Sequence, residues 1–198
     1  VLGACFGALS ADDRAVRSLL LERLRQAEPA VREAAWPGVQ QALESPSPGL
    51  QLAAVETAGA LLRADPGQAE VRRALQRAAA ALDSHVATAA RLGLGRAGDA
   101  DVVPALLADL ANGTELTRTE AIKSLTPALR GGHTEVRRAL LALLDDTSPA
   151  TSATPVVQLA AVRSLAVARE QAGVRPALQR LAERSPSLGY AIDRALGR

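Results

Sequence analysis

Gln51-Leu-Ala-Ala-Val55 returns unchanged as Gln158-Leu-Ala-Ala-Val162, and each copy sits inside a longer pattern that recurs down the chain. The pattern is an apolar residue, often followed by Arg or Gln, then a small or apolar anchor, then another apolar residue four positions on. It is found as Val16-Arg17…Leu20…Leu24, Leu50-Gln51…Ala54, Val86…Ala90…Leu94, Arg118…Ala121…Leu125, Val157-Gln158…Ala161…Leu165 and Leu188…Ile192…Leu196. The anchors at 20, 54, 90, 121, 161 and 192 are separated by 34, 36, 31, 40 and 31 residues. Self-similarity at a period of about 20–50 residues marks a stacked array, in which each unit buries its apolar face against its neighbours. Spacings of three and four place those apolar residues on one side of a helix. The repeat therefore predicts an all-α fold.

Bulk composition agrees. Of the 198 residues, 48% are apolar and 22% charged, the balance of an ordinary folded protein rather than a disordered one. Phe6, Trp36 and Tyr190 are the whole aromatic content. The core must then be built from Leu, Ala and Val, which suits close-packed helices better than a β-sandwich. The net charge is only +2, and Lys123 is the one lysine among 23 cations. That arginine bias reads as composition rather than as a nucleic-acid footprint, since net charge alone says little about binding mode.

A single cysteine, Cys5, excludes an internal disulfide and a cysteine-based metal site. No run of about 18 apolar residues occurs, so no transmembrane helix is expected. Methionine is absent, and the expectation is one repeat domain over 1–198 cut from a longer chain. A cytoplasmic location is the default. The competing expectation is a lipid anchor, because Leu2-Gly-Ala-Cys5 matches the end of a bacterial lipoprotein signal. Leu2, Cys5, Phe6 and Leu9 also make an apolar helical stripe, which is the favoured reading of this segment.

Turn-forming residues at 10–13, 28–29, 45–49, 65–67, 98–99, 112–113, 131–132, 148–155, 172–173 and 185–186 divide the chain into segments of helical length. The expected helices are 1–9 with 12–27, 30–44 with 49–63, 68–82 with 84–97, 101–111 with 115–130, 133–146 with 155–170, and 173–184 with 186–197. Asp12, Asp83, Asp99, Thr114 and Ser185 are candidate N-caps. The loop Asp146–Pro155 is long and rich in Ser, Thr and Pro, and is expected to be a flexible insertion.

Val86-Ala-Thr-Ala-Ala-Arg-Leu-Gly-Leu-Gly-Arg-Ala-Gly-Asp99 resembles the second helix and following turn of a bacterial HEAT repeat. Val103-Pro-Ala-Leu-Leu-Ala-Asp-Leu110 and Val174-Arg-Pro-Ala-Leu-Gln-Arg-Leu181 resemble its first helix, where an early Pro is common, and Trp36-Pro37 is similarly placed. The resemblance runs from about residue 12 to 197. It departs from the family at Ala87 and Gly189, where an Arg is often seen. A neighbouring architecture, the armadillo repeat, would need a third helix for which a 31-residue step leaves no room. The resemblance implies a right-handed α-α superhelix of about six helix pairs. The expected function is a non-enzymatic module that presents a concave groove to a protein partner, and the resemblance itself says very little about activity.

No constellation in the residues themselves points to catalysis, a cofactor or a metal. His85 and His133 fall at helix starts in different repeats, without the converging ligands a metal needs. Gly93-Leu-Gly95-Arg-Ala-Gly98 has the spacing of a dinucleotide fingerprint, but it ends a helix and follows no strand. The pairs Asp12-Asp13 and Asp145-Asp146 read as helix-terminal carboxylates. Arg72-Arg73 and Arg137-Arg138 read as a solvated outer stripe.

One column is more informative. Two residues after the anchors stand Glu22, Glu56, Leu92, Lys123, Arg163 and Arg194, and two before them stand Ser18, Leu52, Thr88, Thr119, Leu159 and Tyr190. At about 100° per residue the position two after the anchor turns well away from the core, towards the inner, concave face, and the small or apolar residues two before it interleave with that column. The candidate partner-binding residues are accordingly Lys123, Arg163, Arg194, Glu56 and Tyr190, and the expected partner is a protein or peptide. Nucleic-acid binding, including a glycosylase-like role, has little to use here, because base stacking needs aromatics beside the target base and the one Trp lies on an expected first-type helix. A role as a lyase-type helper rests on fold analogy alone.

Overall fold

The computed structural model describes residue 23, residues 26–145 and residues 154–198. The expected helix 1–9, most of 12–27 and most of the loop Asp146–Pro155 lie outside the described residues, as do Cys5, Phe6, Ser18, Leu20 and Glu22.

Regular structure among the described residues is helical, with no strand. The α-helices are α1 (Pro29–Leu43), α2 (Pro48–Ala64), α3 (Ala69–Ala79), α4 (Ser84–Arg96), α5 (Val103–Asn112), α6 (Glu115–Arg130), α7 (Thr134–Asp145), α8 (Pro155–Leu165), α9 (Val174–Arg184) and α10 (Gly189–Leu196). Short 3-10 turns at Ala166–Ala168 and Pro186–Leu188 follow α8 and precede α10. Proline opens α1, α2 and α8 at the first helical position, where its missing N–H costs no helical hydrogen bond. These described residues group into two compact units that meet in sequence at Gly98 and Asp99.

In the N-terminal unit α1 packs on α2, and α2 packs on both α3 and α4, which also pack on each other. Asp83 caps α4, accepting the backbone N–H groups of His85 and Val86 at 2.8 and 3.0 Å. These two bonds hold its carboxyl below the usual aspartate range, that of Val86 contributing most. Gly98, at φ 84°, supplies the left-handed residue that lets the chain leave α4.

In the C-terminal unit α5 packs on α6, α6 on α7, α7 on α8 and α9 on α10, and helices two apart in sequence pack as well. Thus α5 meets α7 and α7 meets α9, while α6 meets α8 and α8 meets α10. Thr114 caps α6 through Thr117 N–H, and Thr154 caps α8 through Val157 N–H. Arg118 reaches back to the Leu110 carbonyl, and Gln171 bridges the Leu129 carbonyl and Arg137.

The anchors Ala54, Ala90, Ala121, Ala161 and Ile192 are all 0% exposed, which fixes the helical register read from the repeat. Two cap assignments need correction. Asp99 accepts from Asp101 N–H inside a turn, and α5 begins only after Val102. Ser185 precedes a 3-10 turn and makes no side-chain cap bond. The helix expected over 155–170 stops at Leu165 and tightens into Ala166–Ala168, and the one expected from 186 becomes α-helical at Gly189.

Candidate functional site

The second helices of the C-terminal unit each bury one side and expose the other. On α8, Val157, Ala161, Val162 and Leu165 are buried, while Val156 and Arg163 on the helix and Val167 just beyond it are exposed. Val156 and Arg163 are seven residues apart, two turns on one side of a helix. Leu116 and Lys123 repeat that spacing on α6, where both are exposed. On α10, Ile192, Ala195 and Leu196 are buried, and Tyr190 and Arg194 are exposed one turn apart.

Three of the five candidate residues meet. Arg163, Tyr190 and Arg194 line one open cleft of about 370 Å³, together with the small side chains Ala166, Ala191 and Ala195. The alanines keep the floor low, and Tyr190 stands proud of it at 82% exposure. Among the described residues, neither the Arg163 nor the Arg194 guanidinium has a hydrogen-bond or ion-pair partner. Several other arginines of the unit are engaged. Arg169 and Arg175 pair with Glu170, and Arg180 and Arg184 with Asp145. The hydrogen bond from Arg175 holds the Glu170 carboxyl below the usual glutamate range, reinforced by the charge of the same guanidinium.

Lys123 lies on α6 and pairs with Glu120 at 2.6 Å, one turn back, with its side chain still 56% exposed. Its helix is fastened to α8 by a hydroxyl pair, Thr126 Oγ1 to Ser164 Oγ at 2.8 Å. Ser164 follows Arg163 directly, so this bond also sets where Arg163 stands relative to α6. Of the column two before the anchors, Thr119 is buried and Leu159 half-buried. Glu56 belongs to the N-terminal unit, where it is half-buried and has a partner. Leu52, Thr88 and Leu92 are half-buried there too.

The remaining sequence candidates have structural explanations. His85 and His133 are exposed and lie in different units. Gly93 and Gly95 are buried inside α4. Asp145 is an ion-pair acceptor, as above. Arg72 donates to the Pro66 carbonyl and Arg137 to Gln171, so the first member of each arginine pair holds local structure. Among the described residues no three of His, Cys, Asp and Glu gather as metal ligands would. None of the described helices is long and apolar enough to cross a membrane.

Sequence reasoning missed Leu116, Val156 and Val167. They are exposed apolar residues, Leu116 and Val156 on the same helices as the cations and Val167 in the 3-10 turn that follows α8. The signal was available, since Leu116 and Val156 each stand seven residues before a member of the charged column.

No model of a known protein family matches this sequence, and no curated protein matches it.

Proposed function

We propose that the chain is a HEAT-like, right-handed superhelical array acting as a non-enzymatic scaffold. The exposed side of α6, α8 and α10 is where a protein or peptide partner docks. Helices that pack on the helix two further on, as α5–α7–α9 and α6–α8–α10 do, have the neighbour pattern of such an array.

The observation that carries the binding reading is the cleft of Arg163, Tyr190 and Arg194. Two guanidinium groups without partners among the described residues flank an exposed ring. Arginine and tyrosine are the residue types that dominate binding energy at protein interfaces, and free cations steer an acidic partner in.

A photo-crosslinking residue at position 190 of the full chain would trap the partner from a native lysate. Association rates of the purified partner with the parent and with Arg163→Glu would then be compared. The reading expects slower association and a weaker salt dependence for the variant, with unchanged folding by circular dichroism. An identical captured set and identical rates for the two proteins would overturn it. So would crosslinks that run chiefly to nucleic acid, accompanied by the steep salt dependence of phosphate contacts.

A further inference from the structure

We infer that the occupant of α6, α8 and α10 is an amphipathic helix with an acidic stripe, laid across the three helices. This rests on the reading of that side as a protein-binding surface and adds the shape and chemistry of what binds.

The argument begins with two parallel rows. Lys123, Arg163 and Arg194 hold equivalent positions on the second helices of consecutive repeats and form the cationic row, in which Lys123 already pairs with Glu120 and the two guanidinium groups offer the stronger anchors. Leu116 and Val156 stand two turns nearer the helix starts and form an apolar row. On α10, Tyr190 projects one turn before Arg194. Two helical turns are about 11 Å, close to the 10–12 Å diameter of an α-helix with its side chains. On α6 and α8 a helix fits between the rows, with one flank to each, and on α10 it meets the ring of Tyr190, one turn from Arg194.

The spacing along the rows is also helical. Packed helices lie about 8–10 Å apart, and seven residues of a helix rise about 10 Å. Carboxylates at seven-residue intervals therefore meet successive cations, while residues one and five further on, about 100–140° round the helix, turn to the apolar row. Chemistry distinguishes this from an extended peptide. An extended chain leaves its backbone N–H and C=O groups to be satisfied by the surface or by water, and amide side chains are the natural surface partners. Helices α6 and α10 contain no Asn or Gln, and Gln158 of α8 sits half-buried next to the buried Val157. Thr126 and Ser164 are bonded to each other. A helix satisfies its own backbone and asks only for the apolar and charged contacts that this surface offers.

The test uses the full chain and a synthetic peptide of about 18 residues, long enough to span three packed helices. Glu is placed every seven residues and Leu one and five after each Glu, which puts the two on different flanks of the helix. One control keeps the composition and helix content but scatters the acids around the helix. A second carries a central Pro. The expected result is binding at least tenfold tighter than either control. Leu116→Ser and Val156→Ser should weaken it, Arg163→Glu should weaken it on the order of tenfold, and a Lys-for-Glu peptide should restore binding to Arg163→Glu. Equal affinity for the Pro peptide would overturn the helical occupant, and equal affinity for the scattered peptide would reduce the effect to bulk charge. If the crosslinked natural partner depends on Arg163 but the helical peptide neither binds nor competes, this inference falls and the scaffold reading stands. If no partner depends on Arg163, the scaffold reading falls first.

Discussion

Gly59 of α2 and Gly93 of α4 meet backbone to backbone. A Cβ built on Gly59 would lie 3.1 Å from the Gly93 Cα, and one built on Gly93 would lie 3.3 Å from the Gly59 Cα. Both are buried in helix interiors, where glycine costs about 0.5–1 kcal/mol relative to alanine. Here the crossing distance outweighs that cost, because the obstacle is main chain and cannot rotate aside.

Gly59→Ala should therefore destabilise the protein by about 1–3 kcal/mol, as overpacked sites do, despite its better helix propensity. Gly49, exposed in the first turn of α2 with only Ser47 Oγ at 4.0 Å from its would-be Cβ, is the control. Gly49→Ala should stabilise by about 0.4–1 kcal/mol. Thermal melts of the two variants should move in opposite directions, and a Gly59→Ala melt at or above the parent would refute the close crossing.

The anchors Ala121 and Ala161 test the repeat register in the C-terminal unit. Each is fully buried on a helix, α6 and α8, that packs against the other. Replacing either with Leu should cost about 1–3 kcal/mol in urea denaturation. The same change at Ala172, exposed in a loop, should stay within about 0.5 kcal/mol. Equal midpoints for all three variants would mean the anchors are not where the helices meet.

The anchors were legible because burial imposes a period, and the same period predicted which side of α8 and α10 would carry Arg163 and Arg194. The Gly59–Gly93 crossing was not. A spacing of glycines reads the same whether it serves a phosphate, a turn or a helix crossing, and only the partner helix distinguishes them. Asp99 illustrates a second limit. An acidic residue before a helix suggests a cap, but its bond to Asp101 N–H closes a turn and moves the helix start past Val102. Glu56 shows a third, since equivalence by repeat cannot reveal that one member of a column is half-buried and engaged.

Asp83 makes an acid-sensitive contact. Its carboxyl is held below the usual aspartate range by the N–H groups it accepts, Val86 foremost, then His85. A folded-state value below the unfolded one means that the carboxylate stabilises the fold above the ordinary aspartate range. That contribution disappears as the pH falls through the folded-state value. Asp83→Ser keeps a capping oxygen but removes the titration, so its melting temperature should fall less steeply than the parent's as acid is added below about pH 4. Parallel acid limbs for the two proteins would exclude Asp83 as a contributor.

The hydroxyl pair Thr126–Ser164 is expected to couple α6 to α8. Ser164 is 5% exposed and its Oγ also approaches the Ile122 carbonyl at 3.5 Å, while Thr126 Oγ1 reaches the same carbonyl at 3.2 Å. Ser164→Ala therefore leaves Thr126 with an acceptor, and should cost about 0.5–1.5 kcal/mol rather than the larger penalty of an orphaned donor. Thr126→Val should cost a similar amount, leaving Ser164 only the longer of its two contacts. Because each change removes the same bond, the double variant should cost less than the two added together, with a coupling of at least about 0.5 kcal/mol. Strict additivity in a double-mutant cycle would show that the two hydroxyls do not bond in solution. The measurement also bears on binding, because Arg163 precedes Ser164 directly. If the pair sets the spacing of the cationic row, the double variant should bind a multiply acidic partner more weakly with every charge still in place. It should bind a singly acidic one as the parent does.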